Sequence, residues 1–203
     1  MPSYLETHYD GPCNVSPKYA EQFAKFVVKK FKPDAKSILD LGASYGDFLL
    51  AFKNLGLECF GAEIDNAGIK SCEAKEIKVV KVDLSKDKIN IDKKFDIITC
   101  LETIEHFTDP TNILDNVKRL LAPDGIFIIT TLNWSLTYKN FYHDYTHVKP
   151  YNPRALKRML MHYGFKIEKI LPRLGLPLIW RWSQLAFAFH MKPEIFCVAK
   201  LNE

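Results

Sequence analysis

From residue 37 to residue 132, short apolar runs alternate with stretches of helical spacing, and glycine turns join several of them. Residues 37–41, 57–64, 77–82, 95–101 and 126–132 read as strands, and residues 47–54, 66–75 and 111–121 as helices. This order constrains the fold strongly. Parallel neighbours cannot be joined by a tight hairpin and need a crossover, usually a helix, so the pattern predicts an α/β chain with helices on both faces of a doubly wound sheet.

The flanks extend the pattern. Ser16 and Pro17 open a helix in which Phe23, Phe26, Val27 and Phe31 recur at helical spacing, Ser16 as its cap, and Pro33 stops it. After a polar, aromatic loop at 133–150, Asn152 caps a helix with Pro153 in its first turn, and strands follow at 165–171 and 195–200. A last strand running antiparallel completes a seven-stranded sheet.

At 203 residues the chain has room for a single domain, 1–203. Residues 1–17, with Tyr4, His8 and Tyr9, form an N-terminal tail or a lid. Residues 172–193 form an apolar insertion carrying Trp180, Trp182, Phe187 and Phe189, read as a covering helix or as a lid, a dimer face or a peripheral membrane contact. Gly175, Pro177, Arg181, Ser183 and Gln184 interrupt it, so it lacks the ~20 continuous apolar residues of a membrane span.

The net charge of +4 is spread over scattered lysines and selects no partner class. The 5 cysteines contain no C-x-x-C pair and read as reduced thiols, and the polar opening residues are not those of a signal peptide, so the expected compartment is the cytoplasm.

Ligands of open α/β sheets bind beyond the carboxyl ends of the strands, where three turns here carry suitable chemistry. Asp40, Gly42, Ala43, Ser44 and Gly46 form a turn of small residues whose N–H groups are expected to face an anionic or dipolar group. Glu63 follows about 20 residues later, at the distance where a carboxylate accepts ribose hydroxyls. Asp83 is placed to accept from an adenine amino group, with Leu84 as an apolar contact. Gly42, Ser44 and Gly46 do not form G-x-G-x-x-G, which argues against a dehydrogenase.

The strings Ile38-Leu39-Asp40-Leu41-Gly42-Ala43-Ser44-Tyr45-Gly46, Gly61-Ala62-Glu63-Ile64-Asp65 and Phe95-Asp96-Ile97-Ile98-Thr99-Cys100-Leu101-Glu102 resemble the successive motifs of class I S-adenosylmethionine-dependent methyltransferases. The resemblance covers residues 18–171 and implies a Rossmann-like fold, S-adenosylmethionine as cofactor, and a cofactor set that adds Ile64 and Leu101 to the residues above. Ser44 departs from the family, which more often has glycine there.

Beyond the fourth expected strand, Glu102, Glu105 and His106 are spaced to share one face of a helical turn. Two carboxylates and an imidazole suit a divalent cation such as Mg, Mn, Fe or Zn, and equally suit the solvated face of a helix. A further ligand is available in the loop His143-Asp144-Tyr145-Thr146-His147. The arrangement resembles ubiquinone-pathway O-methyltransferases and small-RNA 2'-O-methyltransferases, which carry E-x-x-E-H followed by a histidine. That resemblance puts Glu102, Glu105, His106 and His147 in metal-ligand roles. His106 or His143 is then the base for the acceptor's proton.

The favoured function is methylation of an oxygen on a small-molecule acceptor, a phenol, sugar or lipid-linked hydroxyl, with divalent-metal assistance. The alternatives are 2'-O-methylation of an RNA 3' end and a cofactor-binding scaffold without catalysis. Tyr138, Phe141, Tyr142 and Tyr145 line the acceptor pocket or pack their loop onto the core.

Overall fold

The computed structural model describes residues 5, 15–172 and 193–202. The expectations for the N-terminal tail, apart from Leu5 and residues 15–17, and for the interior of the 172–193 insertion lie outside the described residues. Of the described residues, those in 1–99 and 111–126 form one compact unit and those in 100–110 and 127–203 a second.

The strands are β1 (Ser37–Leu41), β2 (Glu58–Glu63), β3 (Lys78–Lys81), β4 (Phe95–Leu101), β5 (Leu121–Leu132), β6 (Phe165–Pro172) and β7 (Glu194–Leu201). They form one 7-stranded sheet in the order β3-β2-β1-β4-β5-β7-β6. β1 pairs in parallel with β2 and with β4, and β2 with β3, so the strand order reverses between β1 and β4. Such a switch point is where open α/β sheets bind ligands. β7 runs antiparallel to both β5 and β6, as expected for the last strand. Every residue of β1 is buried, consistent with an inner strand covered on both faces.

The helices are α1 (Pro17–Phe31), α2 (Asp47–Lys53), α3 (Asn66–Ala74), α4 (Thr111–Leu120), α5 (Trp134–Thr137) and α6 (Pro153–His162). No described helix is long and apolar enough to cross a membrane. α1 buries Ala20, Phe23, Ala24 and Val27, and the ring of Phe23 meets Phe48 of α2 edge-on at 5.1 Å. Phe26 and Phe31, expected on the same buried stripe, are half-buried and pack on each other. The Ser16 hydroxyl does not cap α1; its carbonyl accepts from the N–H groups of Tyr19 and Ala20. Asn152 does cap α6, its side chain accepting from Ala155 N at 2.9 Å.

Two local expectations change. β5 opens five residues earlier than its apolar run, at Leu121, and residues 123–125 turn tightly within it; a Cβ on Gly125 would lie 2.9 Å from the Ala122 carbonyl. The 133–150 loop contains the short helix α5 and a 3-10 turn, Phe141–His143, organised by the Asn133 side chain, which accepts from Ser135 N. The described cysteines, Cys59, Cys72, Cys100 and Cys197, are free and buried, as their strand and helix positions imply.

Candidate functional site

In the first unit, the turn after β1 is held by backbone bonds. Gly42 and Gly46 have φ of 79° and Ser44 has φ of 49°, so a left-handed conformation is required at three alternate positions. This explains physically why glycine suits position 44: a residue with a Cβ is strained there. The N–H groups of Gly42 and Ala43 donate to the Ala62 carbonyl, that of Gly46 to Ala43, and that of Ser44 to Glu63 Oε2 at 2.7 Å. The anionic and dipolar groups that these N–H groups meet are the protein's own, the Glu63 carboxylate and two carbonyls, so the turn uses them in holding its shape.

Glu63 is the centre of this arrangement. Its Oε2 accepts from Ser44 N, and its Oε1 from Ile64 N and Asp65 N, each at 2.8 Å. A carboxylate has roughly four lone-pair directions, so three N–H donors fix both oxygens and leave little capacity unused. Burial raises the Glu63 pKa, and these N–H groups oppose the rise. Ile64, next along, is 55% exposed, an apolar side chain presented to solvent beside the acid. Asp40 is buried behind the turn, where Thr99 Oγ1 donates to it at 2.7 Å. Burial pushes Asp40 up to about 7, and the Glu63 charge adds to the rise.

Helix α3 closes on the turn from the other side. A Cβ on Gly68 would lie 2.6 Å from the Ser44 carbonyl and 3.1 Å from Glu63 Cγ, so the absence of a side chain sets how closely the helix approaches. Leu5 is buried against the same place, and its N–H donates to Asp65 Oδ2 at 3.2 Å. Lys75 at the end of α3 reaches back, its Nζ donating to the Tyr45 carbonyl at 2.5 Å and pairing with Asp47 at 3.0 Å. Ser71 Oγ donates to the same carbonyl at 2.9 Å. Ser71 and Lys75 stand four apart on one helix face; that spacing is common on solvated helices and gave no sign of the tie.

Asp83 faces its own turn. Its Oδ1 accepts from Ser85 N and from Ser85 Oγ at 2.6 Å, and its other oxygen meets Lys86 at 3.0 Å. The Ser85 hydroxyl, foremost among these donors, lowers its pKa. Leu84 is buried beside it.

In the second unit, Glu102, Glu105 and His106 do not share a helical face. Glu102 has φ of 47°, and Ile104–His106 is a 3-10 turn with three residues per turn. Glu102 N donates to both the carbonyl and the hydroxyl of Thr130. The Glu105 carboxyl is fully buried, with the backbone N–H groups of Glu105 and Leu132 and the Thr131 hydroxyl turned toward it. Burial pushes it up to about 7, and Glu194 acts in the same direction. The Glu105 carbonyl accepts from Val148 N and Lys149 N, each at 3.0 Å, which ties the second loop to the first.

That tie brings His106 and His147 together, with ring centroids 4.8 Å apart. Asp144 joins them, one ligand-capable atom from each of the three lying within 4.8 Å of the others. The side chains of His147 and Asp144 are only 12% and 9% exposed. His147 Nδ1 lies 2.7 Å from the Phe141 carbonyl, a pure acceptor, so Nδ1 carries a proton and a neutral ring has its lone pair on Nε2. Of the four expected ligands, the structure thus groups His106 and His147 and supplies Asp144; Glu105 points into the protein interior. His143 ends the 3-10 turn Phe141–His143 and is exposed. Tyr138, Tyr142 and Tyr145 are exposed as well, while Phe141 is buried against Trp134 and His147.

Comparison with known proteins places this architecture. The model of a family described as "Methyltransferase domain" matches residues 14–170. A ubiquinone biosynthesis O-methyltransferase of Actinobacillus pleuropneumoniae serotype 5b is 48% identical over 44 residues, 22% of this chain and 19% of that protein. The protein of the same name from Histophilus somni is 31% identical over 109 residues, 48% of this chain and 45% of that one. The chain thus spans less than half the length of these curated relatives. Among solved structures, a SAM-dependent methyltransferase from Archaeoglobus fulgidus is similar at a TM-score of 0.68 and 23% identity, covering 91% of this chain and 94% of that one. The glycopeptide N-methyltransferase MtfA complexed with S-adenosylmethionine is similar at 0.68 and 15%, covering 90% and 94%. With its switch-point sheet, its antiparallel last strand and a family match over most of its length, this chain belongs to the methyltransferase-domain family, the class I S-adenosylmethionine-dependent methyltransferases.

Proposed function

We propose that the chain transfers the methyl group of S-adenosylmethionine to an oxygen of a small hydroxylated acceptor. The observation that carries the choice of oxygen is the His106, Asp144 and His147 cluster. A hydroxyl holds its proton at neutral pH, whereas an amine can attack from its free-base form, so a built proton acceptor matters most for oxygen. The names of the matched relatives, ubiquinone biosynthesis O-methyltransferases, support the same reading. In the reaction the acceptor oxygen forms the new bond to the methyl carbon as the carbon–sulfur bond breaks. S-adenosylhomocysteine leaves, and the hydroxyl proton passes to an imidazole nitrogen of the cluster. On the cofactor side, the fixed Glu63 carboxylate receives a ribose hydroxyl and exposed Ile64 offers the adenine an apolar face.

The same donor set fits a divalent cation. Two imidazoles and a carboxylate suit Zn, Mn or Fe, and the Nδ1 of His147 is oriented by a carbonyl as metal-bound histidines commonly are. A cation held there by His106, Asp144 and His147 would lower the pKa of a bound hydroxyl. The imidazole nitrogens then act as ligands in place of bases, and the remaining acidic residues keep the positions described above.

Production of S-adenosylhomocysteine across a panel of catechols, simple phenols and sugars tests the proposal. The expected result is turnover on a hydroxylated acceptor that falls at least tenfold in His106→Ala while S-adenosylmethionine binding is retained. Loss of turnover on chelation, restored by Zn or Mn, assigns the cation role; insensitivity to chelation assigns the base role. Binding of the cofactor without turnover on any acceptor overturns the reading in favour of a scaffold. Turnover confined to RNA ends, with salt-dependent affinity, overturns it in favour of nucleic acid.

A further inference from the structure

Three hydrogen bonds of Thr146 settle where the proton of His106 resides. Thr146 N donates to Asp144 Oδ1 at 2.9 Å, and Thr146 Oγ1 lies 2.6 Å from the same oxygen. Since Oδ1 already accepts from the N–H, it accepts from the hydroxyl too, and the single hydroxyl proton is thereby used. Thr146 Oγ1 also lies 2.8 Å from His106 Nδ1. With its own proton committed to Asp144, the hydroxyl oxygen serves that contact only as an acceptor, so His106 carries a proton on Nδ1.

We infer that Thr146 is a positioning residue that sets the tautomer of His106, linking its Nδ1–H through one hydroxyl to the Asp144 carboxylate and placing the basic lone pair on Nε2. The chain His106 Nδ1–H to Thr146 Oγ1–H to Asp144 Oδ1 transmits the carboxylate's charge to the ring. It holds the ring against rotation. His147 reaches the same tautomer by a separate route, through the Phe141 carbonyl at 2.7 Å. In the neutral rings both lone pairs then lie on Nε2, one set by a side chain and one by the backbone, and the Nε2 of His147 stands 3.6 Å from Asp144 Oδ2. This inference rests on the reading of the cluster as the place where a hydroxyl is activated, whether by Nε2 as base or as ligand.

The test is a long-range ¹H–¹⁵N spectrum of the full chain with labelled histidine, recorded without added metal at a pH above the range in which imidazoles titrate. In the native protein both His106 and His147 are expected to show the protonated, pyrrole-type nitrogen at Nδ1. Thr146→Val is expected to move His106 toward a pyrrole-type Nε2 while His147 stays as it was, and Thr146→Ser is expected to restore the native pattern. Thr146→Ala serves the same purpose should the valine variant fail to fold. Retention of the Nδ1–H form of His106 in a folded variant lacking the hydroxyl overturns the inference, as does a simultaneous change at His147, which would mark general loosening of the loop. The spectrum needs no turnover. Failure of the O-methylation reading leaves its outcome unaffected, and a tautomer that ignores Thr146 leaves that reading in place.

Discussion

At the turn after β1, Glu63 is fixed by the backbone N–H groups of Ser44, Ile64 and Asp65. At the histidine cluster, by contrast, His106 is fixed by a threonine hydroxyl and His147 by one carbonyl, and a carboxylate from the same loop completes the group. The first arrangement uses donors that no substitution other than proline removes, and its shape follows from the φ values of alternate residues. The second depends on individual side chains and on the two N–H donations that tie its loop to the Glu105 carbonyl. Backbone-built geometry tolerates change at most neighbouring side chains and fails when its steric conditions fail. Side-chain geometry is open to variation residue by residue.

The largest expected effect separates the two regions directly. Glu63→Ala removes charge-assisted bonds worth roughly 1.5 to 3 kcal/mol each, so calorimetry is expected to show S-adenosylmethionine affinity reduced on the order of 100-fold. His106→Ala is expected to leave that affinity within about twofold, because its losses fall on proton transfer. Equal losses in both variants would erase the distinction between the regions.

A pH dependence comes next. Folded Asp40 keeps its proton up to about 7, whereas the ordinary aspartate value is 3.8. The folded state therefore binds more protons than the unfolded state across that window, and stability falls as pH rises through it. Denaturant titrations at stepped pH are expected to show this slope, and Asp40→Asn is expected to flatten it. Glu105, raised from 4.5 to about 7, contributes a slope of the same sign from the second region, and the residual slope in Asp40→Asn is shared between it and Glu63, whose pKa burial also raises.

Smaller changes probe the steric conditions of the turn. Gly68→Ala places a Cβ 2.6 Å from the Ser44 carbonyl, and overpacking of this kind costs about 1–3 kcal/mol. Its melting temperature is expected to fall by several degrees, with cofactor affinity falling alongside. Ser44→Gly relieves the strain of φ at 49° and is expected to stabilise the fold by about 1 kcal/mol. An unchanged or lowered melting temperature there would show that the Ser44 side chain contributes more than its conformation costs.

Much of the architecture was legible because it rests on local signals. The β4 bounds of Phe95–Leu101, the Asn152 cap and the antiparallel last strand follow from apolar runs, capping chemistry and the order of elements. The place of Glu63 at the end of β2 was legible from its apolar run. The direction of the turn's N–H groups was not, since Gly42 and Ala43 donate to Ala62 across to β2, a choice made by strand pairing. Lys75 and Ser71 gave no signal, because a lysine and a serine on a helix face are ordinary until the helix is docked.

The acidic residues show the boundary most clearly. Helical spacing placed Glu102, Glu105 and His106 on one face, but a left-handed residue followed by a 3-10 turn sends the Glu105 carboxyl into the interior. Asp144 takes the vacated role because its loop is held to the Glu105 carbonyl from more than forty positions along the chain. By itself the sequence determined the order of the elements, the sheet class and the glycine turn after the first strand, since periodicity, capping and glycine conformations act over a few residues. Tertiary structure decided which polar groups meet and which are consumed, because those contacts depend on strand pairing and loop docking between segments distant in the chain.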